Sequence, residues 1–201
     1  MSARSEQSLV SAHGLPIPRA VKIVISGGFG VGKTTFVSAI SEIEPLVTEA
    51  PMTDRSVGVD DTHHVAEKTT TTVALDFGRI SLAEDLILYL FGTPGQDRFS
   101  FLWDDLVDGA LGAVVLVDTR RIADSFPTVD YFEQTRIPFL LAVNAFDGAA
   151  EFALDEVREA LDLPGRTPLI ACDARDRNSV KEVLIGLLNQ VITHRQAPVG
   201  G

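Results

Sequence analysis

The chain has 201 residues, 45% of them hydrophobic, a formal net charge of -11 and a single cysteine, Cys172. That length supports one well-cored domain, and the acidity opposes non-specific association with nucleic acid or an anionic lipid surface, since each is a polyanion. One cysteine excludes an intrachain disulfide and fits a reducing compartment, and no apolar run reaches the ~18 residues of a membrane span.

Residues 1–19 mix serine, arginine, glutamate and proline without periodicity or the long apolar core of a secretory signal, and are read as a flexible arm. Residues 196–201 are read as a flexible tail, which leaves 20–195 as the folded domain. Neither terminus carries a myristoylation or prenylation signal, so a cytoplasmic protein is expected, one that visits a membrane only through a partner. The β-branched run Val21–Ile25 predicts a strand, and Phe36, Val37, Ile40 and Ile43 mark an apolar helical face over roughly Lys33 to Glu42. Between them stand Gly27, Gly28, Phe29, Gly30, Val31, Gly32, Lys33 and Thr34, which satisfy G-x-x-x-x-G-K-[ST]. In that pattern backbone N–H groups wrap the α- and β-phosphates, the lysine reaches the β- and γ-phosphates and the hydroxyl meets Mg²⁺. The positive end of the following helix, with Thr35 in its first turn, adds to the same anion site. A bare glycine turn would not need Lys33 and Thr34 after it.

From Pro45 to about Thr72 the chain has few apolar residues and no sustained period, and so long a connection in a small domain is usually functional. Within it, His63 and His64 beside Asp60 and Asp61 have no further ligand at useful spacing and read as a solvated loop. Val73–Ile80 and Leu86–Phe91 predict two strands that pair as an antiparallel hairpin, followed by the turn Gly92-Thr93-Pro94-Gly95-Gln96. Phe99, Phe101, Leu102 and Trp103 follow; packing against the sheet is the reading for most of them, with a partner-facing patch as the alternative. Asp104, Asp105 and Asp108 read as a solvated face. Strands at Gly112–Val117, Pro138–Val143 and Leu169–Cys172 alternate with helices at Ser125–Gln134 and Ala153–Leu161. A last helix has capping-box spacing at Ser179-Val180-Lys181-Glu182 and apolar residues at Val180, Val183, Leu184, Leu187, Leu188 and Val191. The expected fold is α/β, a mostly parallel six-stranded sheet with helices on both faces and ligands at the carboxyl ends of its strands.

In order, Gly27–Thr34, Thr72, Gly92–Gln96, Asn144-Ala145-Phe146-Asp147 and Asp173-Ala174-Arg175 resemble the motif set of Ras-like small GTPases. Within that superfamily the chain looks most like the bacterial Mgl-type gliding-motility GTPases and the conservon ATP/GTP-binding proteins of actinomycetes, over about residues 20 to 194. The resemblance implies a P-loop NTPase fold that binds GTP or GDP with Mg²⁺ and acts as a signalling switch. It implies that Asp147, with Asn144, selects guanine by accepting from N1–H and the 2-amino group. It gives the Ala174 N–H to guanine O6 and the Arg175 side chain to the face of the base. Thr34 and Thr72 would hold the metal, Gly95 would meet the γ-phosphate, Lys33 would serve the phosphates in catalysis, and Gln96 would orient the attacking water.

Three departures point to slow hydrolysis. Gly92 replaces the aspartate of D-x-x-G, so that carboxylate is absent or comes from Asp76 or another residue. Phe29 replaces a glycine that faces the γ-phosphate. Thr71 stands where Mgl-type proteins carry an arginine, leaving Arg55 and Arg98 as substitutes. Ala145 also replaces the lysine of N-K-x-D, with Phe146 available to cover the site. The implied partners are a roadblock-type regulator and a sensor kinase-like membrane protein. Two other readings stand beside this one: a nucleotide-dependent scaffold that does not hydrolyse, and an ATP-binding P-loop protein.

Overall fold

A computed structural model of the chain describes residues 18–44, 46–52, 71–95, 97–135 and 137–196. The run of β-branched residues forms β1 (Arg19–Ser26) and the chain then turns into α1 (Lys33–Ile40). The connection after Pro45, expected to be irregular, contains β2 (Leu46–Met52). Its Leu-Val-Thr-Glu-Ala-Pro-Met sequence has no clean two-residue period; what makes it a strand is antiparallel pairing with β3 (Thr71–Ala83). Next, β4 (Leu86–Gly92) forms the expected hairpin with β3 and runs parallel to β1. A 3-10 turn, Asp97–Leu102, leads into α2 (Trp103–Val107). The chain continues through β5 (Gly112–Val117), a 3-10 stretch at Thr119–Ser125, α3 (Phe126–Gln134) and β6 (Phe139–Asn144). It closes with α4 (Leu154–Ala160), β7 (Leu169–Cys172) and α5 (Arg177–Gln196).

The strands make one sheet in the order β2-β3-β4-β1-β5-β6-β7, parallel from β4 through β7 and antiparallel at the β2–β3–β4 side. The six expected strands are its body, and β2 adds a seventh at the edge. Because side chains alternate along a strand, Ile23 and Ile25 of β1 point to one face and Val24 to the other. The first face packs Phe36, Val37 and Ile40 of α1 against Val180, Val183, Leu184, Leu187 and Val191 of α5. The second packs Val129 and Phe132 of α3 and Val157 of α4 against Val115, Val117 and Leu141. Each such side chain contributes roughly 1.5–3 kcal/mol of transfer free energy, so two opposed cores hold the sheet between its helices.

Trp103 is buried and meets the Tyr131 ring edge-on at 5.2 Å, whereas Phe101 is exposed, so the aromatic run after Gly95 splits between packing and surface. Asp104 is exposed, as expected of a solvated face, and accepts a 2.7 Å hydrogen bond from the Tyr131 hydroxyl. Burial and that carboxylate push the phenol above its ordinary range. The start of α5 also differs from the expected capping box. Asp176 takes the cap, accepting from the N–H groups of Asn178 and Ser179 at 3.1 and 3.3 Å, because the Ser179 hydroxyl is engaged by the N–H of Asp173 at 2.9 Å. Cys172 ends β7 as a buried residue, and burial pushes its thiol up to about 11. Its alkylation by a neutral thiol reagent at pH 8 is therefore expected to follow the rate of unfolding; rapid labelling of the native protein would refute that placement.

β1 lies between β4 and β5, the place where the chain order reverses across the sheet. In open α/β sheets a crevice forms outside the carboxyl ends of the strands at such a point.

Candidate functional site

The glycine loop leaves β1 at that crevice. Lys33 opens α1 and is buried, and its ammonium donates to the carbonyls of Gly27 and Gly28 at 2.7 and 2.8 Å. Burial holds this ammonium down to about 8, against the pull of the Asp76 carboxylate. Gly95 comes down onto the same point: a β-carbon there would lie 2.6 Å from Lys33 Nζ and 3.0 Å from the Phe29 nitrogen. A side chain at residue 95 would therefore close the corner where Lys33, Phe29 and the loop after β4 meet. Val31 is buried, Thr34 and Thr35 are exposed, and the Phe29 ring stands 65% exposed on the outer lip.

Thr34 donates from its hydroxyl to Asp76 Oδ2 at 2.8 Å. Asp76 belongs to β3, and it covers the end of β4: a β-carbon on Gly92 would sit 2.8 Å from Asp76 Cβ and 2.9 Å from Oδ2. The carboxylate missing at residue 92 is thus present in the same space, carried by the neighbouring strand. Thr72 lies in β3 opposite Pro51, on the backbone; its side chain, like Gln96 and Arg55, is outside the described residues, as are the side chain of Arg98 and residues Asp60, Asp61, His63 and His64. Among the described residues, no group of three or more histidine, cysteine or acidic side chains converges as a metal cluster.

Across the crevice, the ends of β6 and β7 bound a cavity of about 650 Å³ lined by Thr119, Asn144, Phe146, Asp147, Asp173 and Arg175. That volume suits a nucleoside-sized ligand. Asn144 links this cavity to the loop: its Nδ2 donates to the Val31 carbonyl and its Oδ1 accepts from the Ala174 N–H, both at 2.9 Å. The Ala174 N–H is thus engaged by the asparagine. Arg175 also departs from the expectation of a side chain lying over a base. Its guanidinium grips both oxygens of Asp173 at 2.9 Å and donates to Asp147 Oδ2 at 2.8 Å. The two-pronged bond holds the Asp173 carboxyl below its ordinary range, and together the two acids hold the guanidinium above its own. Asp147 stays 88% exposed, so its other oxygen faces solvent at the cavity mouth.

The sequence reading missed Asp118, Thr119, Arg120 and Arg121. Asp118 is buried at the end of β5 and accepts from the Arg120 backbone N–H, Nε and Nη2 at 3.0, 2.9 and 2.8 Å. Those bonds hold its carboxyl below the usual range. Arg120 then lies with its guanidinium carbon 3.6 Å from the centroid of Phe146, a residue of the cavity lining. The available signal was position: an acid and two adjacent arginines directly follow a predicted strand in a chain of net charge -11.

A family model described as "Conserved hypothetical ATP binding protein" matches residues 25–194. An uncharacterized protein, MJ1339 of Methanocaldococcus jannaschii, is 28% identical over 129 residues, which is 63% of this chain and 71% of that protein. Among solved structures, the FeoB G-domain from Methanococcus jannaschii aligns with a TM-score of 0.57 at 16% identity, over 87% of this chain and 99% of that one. The GMPPNP form of the cytosolic domain of the T. maritima FeoB iron transporter aligns at 0.58 with 18% identity, over 89% of this chain and 65% of the longer structure. At these identities the likeness is one of fold, and the fold is that of a G-domain P-loop NTPase.

Proposed function

We propose that this chain, which belongs to the family of conserved hypothetical ATP binding proteins, is a guanine-nucleotide switch that binds GTP or GDP with Mg²⁺ and hydrolyses GTP slowly. The observation that carries this reading is the Asn144 bridge, which ties a Lys33-bearing glycine loop to the wall of a cavity edged by Asp147 and Arg175. A carboxylate at Asp147 accepts from the N1–H and 2-amino group of guanine, a donor pair that adenine lacks. The family's description names ATP, and that is the competing reading.

Phosphates entering the loop give Lys33 a full counter-charge in place of two neutral carbonyls, an exchange favoured by the Coulomb attraction between opposite charges in a partly buried site. Thr34 and Asp76 fit Mg²⁺, which takes hard oxygen donors and usually keeps several waters. When bound, the ion neutralises the β- and γ-phosphate oxygens. Thr34 would hold it, Asp76 would orient one of its waters, and Thr72 would close on it from the first switch. Gly95 and Gln96 sense the third phosphate and the attacking water, and the segments around them rearrange when that phosphate leaves. By resemblance, a roadblock-type regulator and a sensor kinase-like protein read that rearrangement, in a single domain over 20–195. Among the described residues no helix is long and apolar enough to cross a membrane.

Identification of the nucleotide that co-purifies with the chain, with competition of ATP and GTP against labelled GDP, tests the base assignment. GTP is expected to displace GDP at concentrations where ATP does not; equal competition by ATP would sink the guanine reading. Asp147→Asn is expected to lose guanine nucleotides and gain xanthine nucleotides by at least about tenfold each, because a carboxamide offers xanthine the donor that its extra carbonyl needs. Absence of any xanthine gain, with the fold intact by circular dichroism, would remove Asp147 from base selection.

A further inference from the structure

The two arginines after β5 are held very differently. Arg120 is fixed: two short bonds clamp it to buried Asp118, and its guanidinium carbon lies 3.6 Å from the centroid of the Phe146 ring. Arg121 is tethered loosely, 3.8 Å from Asp118 and 3.5 Å from Asp124, with its side chain 47% exposed. Its backbone breaks the 3-10 stretch at φ -142°, ψ 53°, and its Nη2 donates to the carbonyl of Phe29 in the glycine loop. The same nitrogen is 3.4 Å from where a β-carbon on Gly30 would stand. Phe29 is also the residue against which Gly95 rests, 2.8 Å from its Cα to a β-carbon placed on that glycine, in the corner that holds Lys33 Nζ. Among the described side chains, a second cation therefore reaches the loop at the residue next to the γ-phosphate corner.

We propose that Arg121 is the catalytic arginine of this chain, supplied in cis; this rests on the reading of the site as one that hydrolyses GTP. With GTP bound, the guanidinium exchanges the neutral Phe29 carbonyl for phosphate oxygens, which bond it more strongly. Water adds to the γ-phosphorus, and the bond from that phosphorus to the β–γ bridging oxygen breaks. The bond's electron pair stays on the GDP β-phosphate, and the water's surplus proton leaves with inorganic phosphate or to solvent. Arg121 stabilises the charge that grows on the bridging and γ-oxygens as the bond lengthens. The long contacts to Asp118 and Asp124 suit this role, since they aim the side chain without saturating it.

The test compares the full chain with Arg121→Ala and Arg121→Lys in three measurements: labelled-GDP affinity, single-turnover GTP hydrolysis, and capture of aluminium fluoride by the GDP complex without any partner protein. In Arg121→Ala, hydrolysis is expected to fall about 10³-fold while GDP affinity moves by less than about fivefold. The wild-type chain is expected to form the fluoride complex alone and Arg121→Ala to lose it. Lysine is expected not to restore either, because it lacks the planar fork. Unchanged hydrolysis in Arg121→Ala, a loss of GDP affinity in step with the rate, or no fluoride complex in the wild type would overturn the assignment. Failure of the wild type to bind either guanine nucleotide would overturn the functional reading itself, and the binding measurement alone detects it.

Discussion

Gly32→Ala is expected to abolish nucleotide binding and to lower stability by roughly 3–5 kcal/mol. Gly32 sits at φ +104°, a backbone conformation that L side chains rarely adopt, as the residue that caps α1. A β-carbon there would stand 2.6 Å from Asn144 Nδ2 and 3.6 Å from Ala174 Cβ. The buried amide cannot swing aside at low cost, because it would abandon both the Val31 carbonyl and the Ala174 N–H. Each orphaned group inside the protein costs about 1–3 kcal/mol, on top of the dihedral strain. Gly165→Ala is the control: nothing lies within 4 Å of a β-carbon at that position, and its stability should match wild type. Urea unfolding and labelled-GDP binding measure both effects; a Gly32→Ala protein of native stability that still binds GDP would show that the Asn144 bridge is dispensable.

The second large effect is expected at Asp76. Its carboxylate accepts from Thr34 and fills the space over Gly92, and the neighbouring Phe77–Phe91 pairing of β3 with β4 fixes that overlap. Asp76→Ala is expected to speed GDP release about 10–100-fold in the presence of Mg²⁺, the usual loss when a group that orients a metal's ligands is removed. In excess EDTA the mutant and wild type should release GDP at similar rates, which ties the effect to the metal. Gly92→Asp alone should be destabilising, because its β-carbon would meet Asp76 Cβ at 2.8 Å and bring two carboxylates together. The double variant Asp76→Gly/Gly92→Asp removes the β-carbon at residue 76 and returns one carboxylate to the same space from the other strand, and should recover most of the slow release. No recovery, with the fold intact, would mean that Asp76 does something residue 92 cannot.

What the sequence made legible was chemistry confined to one strand end and the turn after it. Gly27 to Thr34 could be read because strand, loop and helix are contiguous, and the apolar stripe of α5 because its contacts share one helical face. Roles set by distant partners were hidden. β2 is a strand because β3 offers it hydrogen bonds, and Ser179 is not a cap because Asp173 claims its hydroxyl. Asp118 looked like any polar residue after a strand until Arg120 closed on it. The resemblance sends the Arg175 side chain to the face of a base, and only the fold shows that Asp173 turns the guanidinium toward Asp147.

Asn144 spends both ends of one amide on the protein, its nitrogen on the phosphate loop and its oxygen on the turn after β7. Any ligand that firms up one of those segments therefore firms up the other, so the two halves of the crevice share a coupling free energy. Guanosine and pyrophosphate added together as separate molecules should each bind more tightly than alone, by the same factor in both directions. The Asn144→Ala chain should lose that mutual reinforcement before it loses either weak affinity. The asparagine would then be the element that makes a nucleotide, rather than a base beside a phosphate, the unit this fold recognises.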